Sequence, residues 1–134
     1  MFYLIYSSYA TQPLNDEDLK ELLDKARRRN IFKSVTGILF YFEGKFIQLI
    51  EGEENTIKLL YAAIYNDPRH QKLQLHQEDA INERYFPDWT MAFKPISSED
   101  VEGALGFRNM SVPNATNVES VMKLYKILGS KSDL

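Results

Sequence analysis

The sequence predicts an α+β domain, a ferredoxin-like β-α-β-β-α-β arrangement with a fifth strand added. Three observations predict it. Apolar runs of strand period fall at residues 2–9, 35–42, 45–51 and 72–80, and helix-period stretches follow the first and third of them. A two-residue hairpin signal, Glu43-Gly44, joins the second run to the third. With 134 residues, 44% hydrophobic and 26% charged, the chain has the length and composition of one globular unit with its own core.

The first strand, 2–9, places Leu4, Tyr6 and Ser8 on one face and Tyr3, Ile5 and Ser7 on the other. Gln12-Pro13-Leu14 ends it. Asn15 then caps a helix expected over 16–29, with Asp16, Glu17 and Asp18 in the first turn, where the helix dipole favours negative charge. Leu19, Leu22, Leu23 and Ala26 form its inward stripe, and the same spacing brings Asn30 onto the end of that stripe.

A hairpin of two loop residues sets Leu39 opposite Gln48, with Gly37 and Tyr41 on the same face; Gly37 leaves room there for something other than a side chain. In the strand 45–51, Phe46, Gln48 and Ile50 share one surface, and Ile47 and Leu49 share the other. Both faces are apolar, as in a central strand covered on both sides. A partnerless amide in such a place costs about 1–3 kcal/mol, so Gln48 needs a partner.

The second helix, expected over 55–66, carries Ile57, Leu60, Tyr61 and Ile64, and Asp67 extends that stripe before Pro68 stops the helix. An aspartate at a helix C-terminus opposes the dipole and calls for a donor, which Arg69, His70 or a ligand N–H would supply. Strands 72–80 and, after Pro87-Asp88, 89–96 follow. The sheet face opposite the two helices would expose Ile5, Ile38, Phe40, Ile47 and Leu49, which is too apolar for water. Residues 97–134 are expected to cover it with helices over 98–105 and 117–128, the second bearing Val118, Val121, Met122, Tyr125 and Leu128; a partner chain would share the surface. The division is therefore 1–96 and 97–134.

A net charge of −3 gives no electrostatic case for nucleic acid or an anionic membrane, and Arg27-Arg28-Arg29 reads as a solvated face. The absence of cysteine excludes disulfides and thiolate metal sites. No basic leader precedes the first strand and no apolar run approaches the roughly 20 residues of a spanning helix, so a cytoplasmic protein is expected.

Five segments together resemble the BLUF family, the blue-light sensors using FAD. They are Tyr6-Ser7-Ser8-Tyr9-Ala10, Asn30 with Thr36-Gly37, Phe46-Ile47-Gln48-Leu49-Ile50-Glu51-Gly52, Asp67-Pro68-Arg69-His70 and Phe86-Pro87-Asp88-Trp89-Thr90-Met91. They cover residues 1–96 in order, and the chain is similar to the family's short stand-alone form. The resemblance implies FAD held non-covalently between the two helices. Asn30 would meet the ring's carbonyl edge, and Gln48 would lie between Tyr6 and the ring. Phe46, Leu23 and Ile64 would give apolar contacts, with Asp67, Arg69 and His70 near the cofactor.

It also implies light-driven electron and proton transfer from Tyr6, a rearranged Gln48 network, and signalling through Trp89 and Met91 of the fifth strand to the C-terminal helices. The expected partners are the flavin, a downstream protein and a further copy of the chain. No substrate would be turned over. The alternative from fold alone is a small acylphosphatase-type hydrolase, for which Arg29-Asn30 is the pair on offer.

Overall fold

The computed structural model describes residues 1–42, 44–88, 90–95 and 117–128, with the backbone alone at 92–95, 124, 127 and 128. Trp89 and the helix expected over 98–105 lie outside the described residues. The elements run β1 (Phe2–Ala10), α1 (Asp16–Lys33), β2 (Thr36–Phe42), β3 (Lys45–Gly52), α2 (Glu54–Tyr65), β4 (His70–Ala80), β5 (Ala92–Pro95) and α3 (Val118–Leu128). The sheet order is β4-β1-β3-β2-β5. β3 pairs antiparallel with both β1 and β2, β4 pairs antiparallel with β1, and β5 lies parallel to β2. This is the ferredoxin-like sheet with one strand added at its β2 edge.

Local chemistry explains the helix ends. Asn15 and Asp18 form a reciprocal capping box, each side chain accepting from the other's backbone N–H. At the other end, α1 runs four residues past the expected Arg29. Ser34 terminates it in the left-handed region at φ 56°, its N–H reaching the Asn30 and Ile31 carbonyls. Asn30 therefore sits inside the last turn, fully buried. Glu53 caps α2, its carboxylate accepting from the Asn55 and Thr56 N–H groups at 3.2 and 3.0 Å.

β3 is buried along both faces, as its sequence requires. The hairpin register also agrees, since Leu39 pairs with Gln48, which on its other side pairs with Tyr6. Gly37 departs from expectation. The space beside it is filled by β3's own backbone, and a Cβ added there would overlap the Leu49 carbonyl oxygen. The glycine allows two strands to approach each other and makes no room for a ligand.

Two cores result. Phe2, Leu4, Tyr6, Leu23, Phe46, Ile50 and their neighbours pack beneath α1 and α2. On the other face Tyr3, Ile5, Ile38, Phe40, Ile47, Leu49 and Phe86 pack against Val121, with Val118, Met122 and Tyr125 of α3 around them. The apolar surface expected to need a cover is thus covered by α3. Gln77 fixes the start of α3, its Oε1 accepting from the Val118 N–H at 3.0 Å.

Candidate functional site

Because Tyr6 and Gln48 are paired residues of β1 and β3, their side chains emerge side by side toward α1 and α2. Both are buried, at 1% and 5% exposure. The Tyr6 hydroxyl donates to Gln48 Oε1. Gln48 Nε2 donates in turn to Met91 Sδ at 3.2 Å. An amide nitrogen carries two N–H groups and a thioether is a weak acceptor, so this nitrogen retains capacity for a better one. Burial raises the Tyr6 pKa, and the nearby Arg29 guanidinium offsets part of that rise. The phenol is accordingly a neutral proton donor at physiological pH.

The last turns of α1 hold the segment before β5. Asn30 Nδ2 donates to the Thr90 carbonyl, and Arg27 Nε donates to the Met91 carbonyl at 3.0 Å. These side chains engage carbonyls just ahead of the strand, and β5 begins at Ala92 instead of residue 89. Met91 thus precedes the strand it was expected to belong to. The arginine run is likewise not one solvated face. Arg28 reaches back to its own helix at Asp24, whereas Arg27 turns toward Met91 and Arg29 toward Asn30 Oδ1 at 3.4 Å. Sequence reasoning missed Arg27, whose partner lies 64 residues away; the only local signal is its place one turn before Asn30 on α1.

Between α1, α2 and the sheet lies a cavity of about 170 Å³. Leu22, Ala26, Leu39, Phe46 and Ile64 form its apolar walls, and Tyr6, Lys25, Gln48, Arg29, Asp67, Arg69 and His70 its polar ones. Of the expected site residues, Leu23, Asn30 and Met91 are not in that lining. Leu22, Ala26 and Arg29 recur at i, i+4 and i+7 and face the cavity, which turns Leu23 into the core under α1. Arg29-Asn30 is poorly placed for phosphoryl chemistry. It lies near the C-terminus of α1, where the dipole disfavours anions, and the Asn30 amide is engaged by Thr90.

At the cavity's outer edge Arg69 supplies the donor that Asp67 required. Its guanidinium lies 2.6 Å from Asp67 Oδ2 and its backbone N–H 2.9 Å from Oδ1. The Arg69 hydrogen bond brings the Asp67 pKa down to about 2. His70 packs its ring against Phe46 at 5.2 Å, and its Nδ1 lies 3.0 Å from Ser8 Oγ.

Burial lowers the His70 pKa, with Asp67 opposing and Arg69 and Arg29 reinforcing that shift. The unfolded chain therefore takes up this proton first as pH falls. Stability present above the ordinary histidine pKa of about 6.5 is lost as pH drops through the lower folded value. His76 shifts the same way. Thermal melts between pH 7 and pH 5 are expected to show a falling midpoint, with a shallower fall in His70→Gln.

A phenol–amide pair at the wall of a slot between two helices, on a ferredoxin-like sheet, defines a ligand-binding domain. The chain belongs to the BLUF family, described as sensors of blue-light using FAD, whose model matches residues 1–92. It is 37% identical over 89 residues to the photoactivated adenylate cyclase subunit beta of Euglena gracilis, a match covering 66% of this chain and 10% of that protein. It is 40% identical over 70 residues to the blue light- and temperature-regulated antirepressor BluF of Escherichia coli (strain K12), covering 52% of this chain and 17% of the relative. The chain thus spans about one tenth of the length of the cyclase relatives.

Among solved structures, BlsA in its photo-activated state superposes with a TM-score of 0.82 at 25% identity, covering 99% of this chain and 98% of the other. BlrB in its dark state gives 0.73 at 29% identity, covering 95% and 93%. Domains of this family are sensors that bind flavin. The lining fits such a group: its apolar walls would face a flat ring, and the Arg29 and Arg69 guanidinium groups and the Gln48 amide would offer donors to carbonyl oxygens. Among the described residues no helix is long and apolar enough to cross a membrane.

Proposed function

We propose that the chain is a blue-light photoreceptor in which FAD, bound non-covalently in the cavity, is read by the Tyr6–Gln48–Met91 chain of hydrogen bonds. That chain is the observation carrying the reading, because it joins an oxidisable phenol, an amide with two possible wirings and the segment leading into β5. Phe46 and Ile64 would contact the ring. Arg29, Asp67, Arg69 and His70 would surround its polar parts, and Asn30, fixed by Thr90, would hold its carbonyl edge in register. When bound, the flavin supplies a blue-light-absorbing electron acceptor.

The protein's own part begins with Tyr6, which would yield an electron and its hydroxyl proton to the light-excited acceptor and recover both once the Gln48 amide has rearranged. Gln48 then flips or tautomerises, so that a donor stands where an acceptor stood, with no net change of charge. Met91 loses its N–H partner in the process. A change this small signals only by biasing an element with two packings, here β5, Trp89 and then the C-terminal helices.

Residues 1–96 form the light-sensing unit and 97–134 the output extension. The output is contact with a downstream protein, and with further copies of the chain, in the cytoplasm. The relatives support a signalling output, since one is named a photoactivated adenylate cyclase subunit and another a blue light- and temperature-regulated antirepressor. The test is an absorption spectrum of protein loaded with FAD, FMN or riboflavin, before and after blue light. A reversible red shift, with FAD retained best through dialysis, is expected. Protein that stays colourless after loading would defeat the proposal.

A further inference from the structure

Glu51 is a fully buried carboxylate that the light reaction does not use. It lies three residues beyond Gln48 on β3, about 10 Å along a rigid strand, on the sheet face covered by α3. Three donors converge on it. Oε2 accepts from the Thr36 hydroxyl at 2.7 Å and the Phe86 N–H at 2.8 Å, and Oε1 accepts from the Tyr85 N–H at 2.7 Å. Arg84 completes the cluster, donating to Thr36 Oγ1 at 2.8 Å and to the Ser34 carbonyl at 2.6 Å.

The segment gripped in this way touches both ends of the molecule's switch. Phe86 packs its ring edge-on against Tyr125 of α3, with centroids 5.7 Å apart, and shares the core with Val121. Five residues later, Met91 receives the Gln48 amide. The same segment thus meets α3 at Phe86 and the amide at Met91, with the Glu51 carboxylate anchoring it at its α3 end.

We propose that Glu51 is the positioning residue that couples the Gln48–Met91 contact to α3, which rests on the photoreceptor reading above. With Tyr85 and Phe86 held to β3, the segment leading to Met91 is tethered at its contact with α3, so a displacement of Met91 would bear on Phe86 and Tyr125 and would not be lost in free movement of residues 85 and 86. Glu51→Gln is nearly isosteric, but its NH₂ group meets a backbone N–H where a carboxylate oxygen had accepted. The anchor opens while the flavin side of β3 is untouched.

Hydrogen exchange read residue by residue on flavin-loaded full chain, dark and lit, tests this. In the parent, light is expected to change exchange across 118–128. In Glu51→Gln the absorption shift should persist, dark exchange at Tyr85 and Phe86 should rise at least tenfold, α3 should exchange faster in the dark, and its light dependence should vanish. Thr36→Val removes one donor of three and should give the same pattern at smaller amplitude; it carries the test if Glu51→Gln does not fold.

A parent with an absorption shift but no light response in α3, or a variant whose α3 responds in full, overturns the coupling. So does loss of the absorption shift itself, which would place Glu51 in the flavin site. A parent that binds flavin without any shift defeats the photoreceptor reading instead. The anchor is then judged on dark exchange alone, where an α3 unaffected by Glu51→Gln overturns it.

Discussion

Tyr6→Phe is expected to bind flavin and to lose the light-driven absorption shift completely, and Gln48→Leu to do the same. The ring of Tyr6 contributes apolar packing in the core beneath α1 and α2, which phenylalanine preserves. The hydroxyl is the donor to Gln48 Oε1, and in the proposed mechanism it would also supply the proton and the lower oxidation barrier of a phenol. Removing it leaves an amide with one wiring, since no O–H remains to choose between its oxygen and nitrogen. Gln48→Leu keeps similar volume and removes both the acceptor for Tyr6 and the donor to Met91 Sδ. Tyr6→Phe strands the Gln48 oxygen, and Gln48→Leu strands the Tyr6 hydroxyl and the weaker acceptor Met91 Sδ; about 1–3 kcal/mol for the stranded oxygen or hydroxyl is a cost that a domain of this size tolerates. A loaded Tyr6→Phe protein with its full spectral response would remove the phenol from the mechanism. The same result in Gln48→Leu would remove the amide.

Much of this arrangement was legible in the sequence because strand and helix periods are local. The alternation 46-48-50 against 47-49-51 fixed which side of β3 each residue serves, and the two-residue turn fixed Leu39 opposite Gln48. The requirement that the second face be covered followed from five apolar residues sharing it, and α3 meets it. What the sequence left open depended on rotation and on distant partners. A helix stripe of Leu19, Leu22, Leu23 and Ala26 does not say whether Leu22 or Leu23 looks into the cavity, because 100° steps leave the choice to packing. Arg27 looked like one solvated cation of three until the Met91 carbonyl, 64 residues away, came within reach. Nothing local in the strand 45–51 pointed to a role for Glu51, and only the return of Tyr85 and Phe86 makes its carboxylate an anchor.

Gly37→Ala is expected to be the most destabilising single-methyl change in the sheet. Gly37 pairs with Ile50, one position in from the end of the β2–β3 ladder, and an added Cβ would overlap the Leu49 carbonyl oxygen while lying 3.1 Å from Leu49 C and 3.3 Å from Ile50 Cα. All three are backbone atoms of the most deeply buried strand, so no side chain can swing away. The two strands must part or slip. Overpacking of well-packed cores costs about 1–3 kcal/mol, and here backbone must yield, so a loss of about 3 kcal/mol and a melting midpoint lower by roughly 10 °C are expected. Gly44→Ala provides the contrast: nothing lies within 4 Å of its Cβ position, and only its φ of 86° opposes a side chain. That change should cost about 1–2 kcal/mol. Parting β2 from β3 also displaces Leu39 from Gln48, so Gly37→Ala should bind flavin more weakly than Gly44→Ala even well below its melting point. Circular-dichroism melts and flavin retention on gel filtration would measure both effects, and a Gly37→Ala protein melting with the parent would show that the strands are not in the close register described.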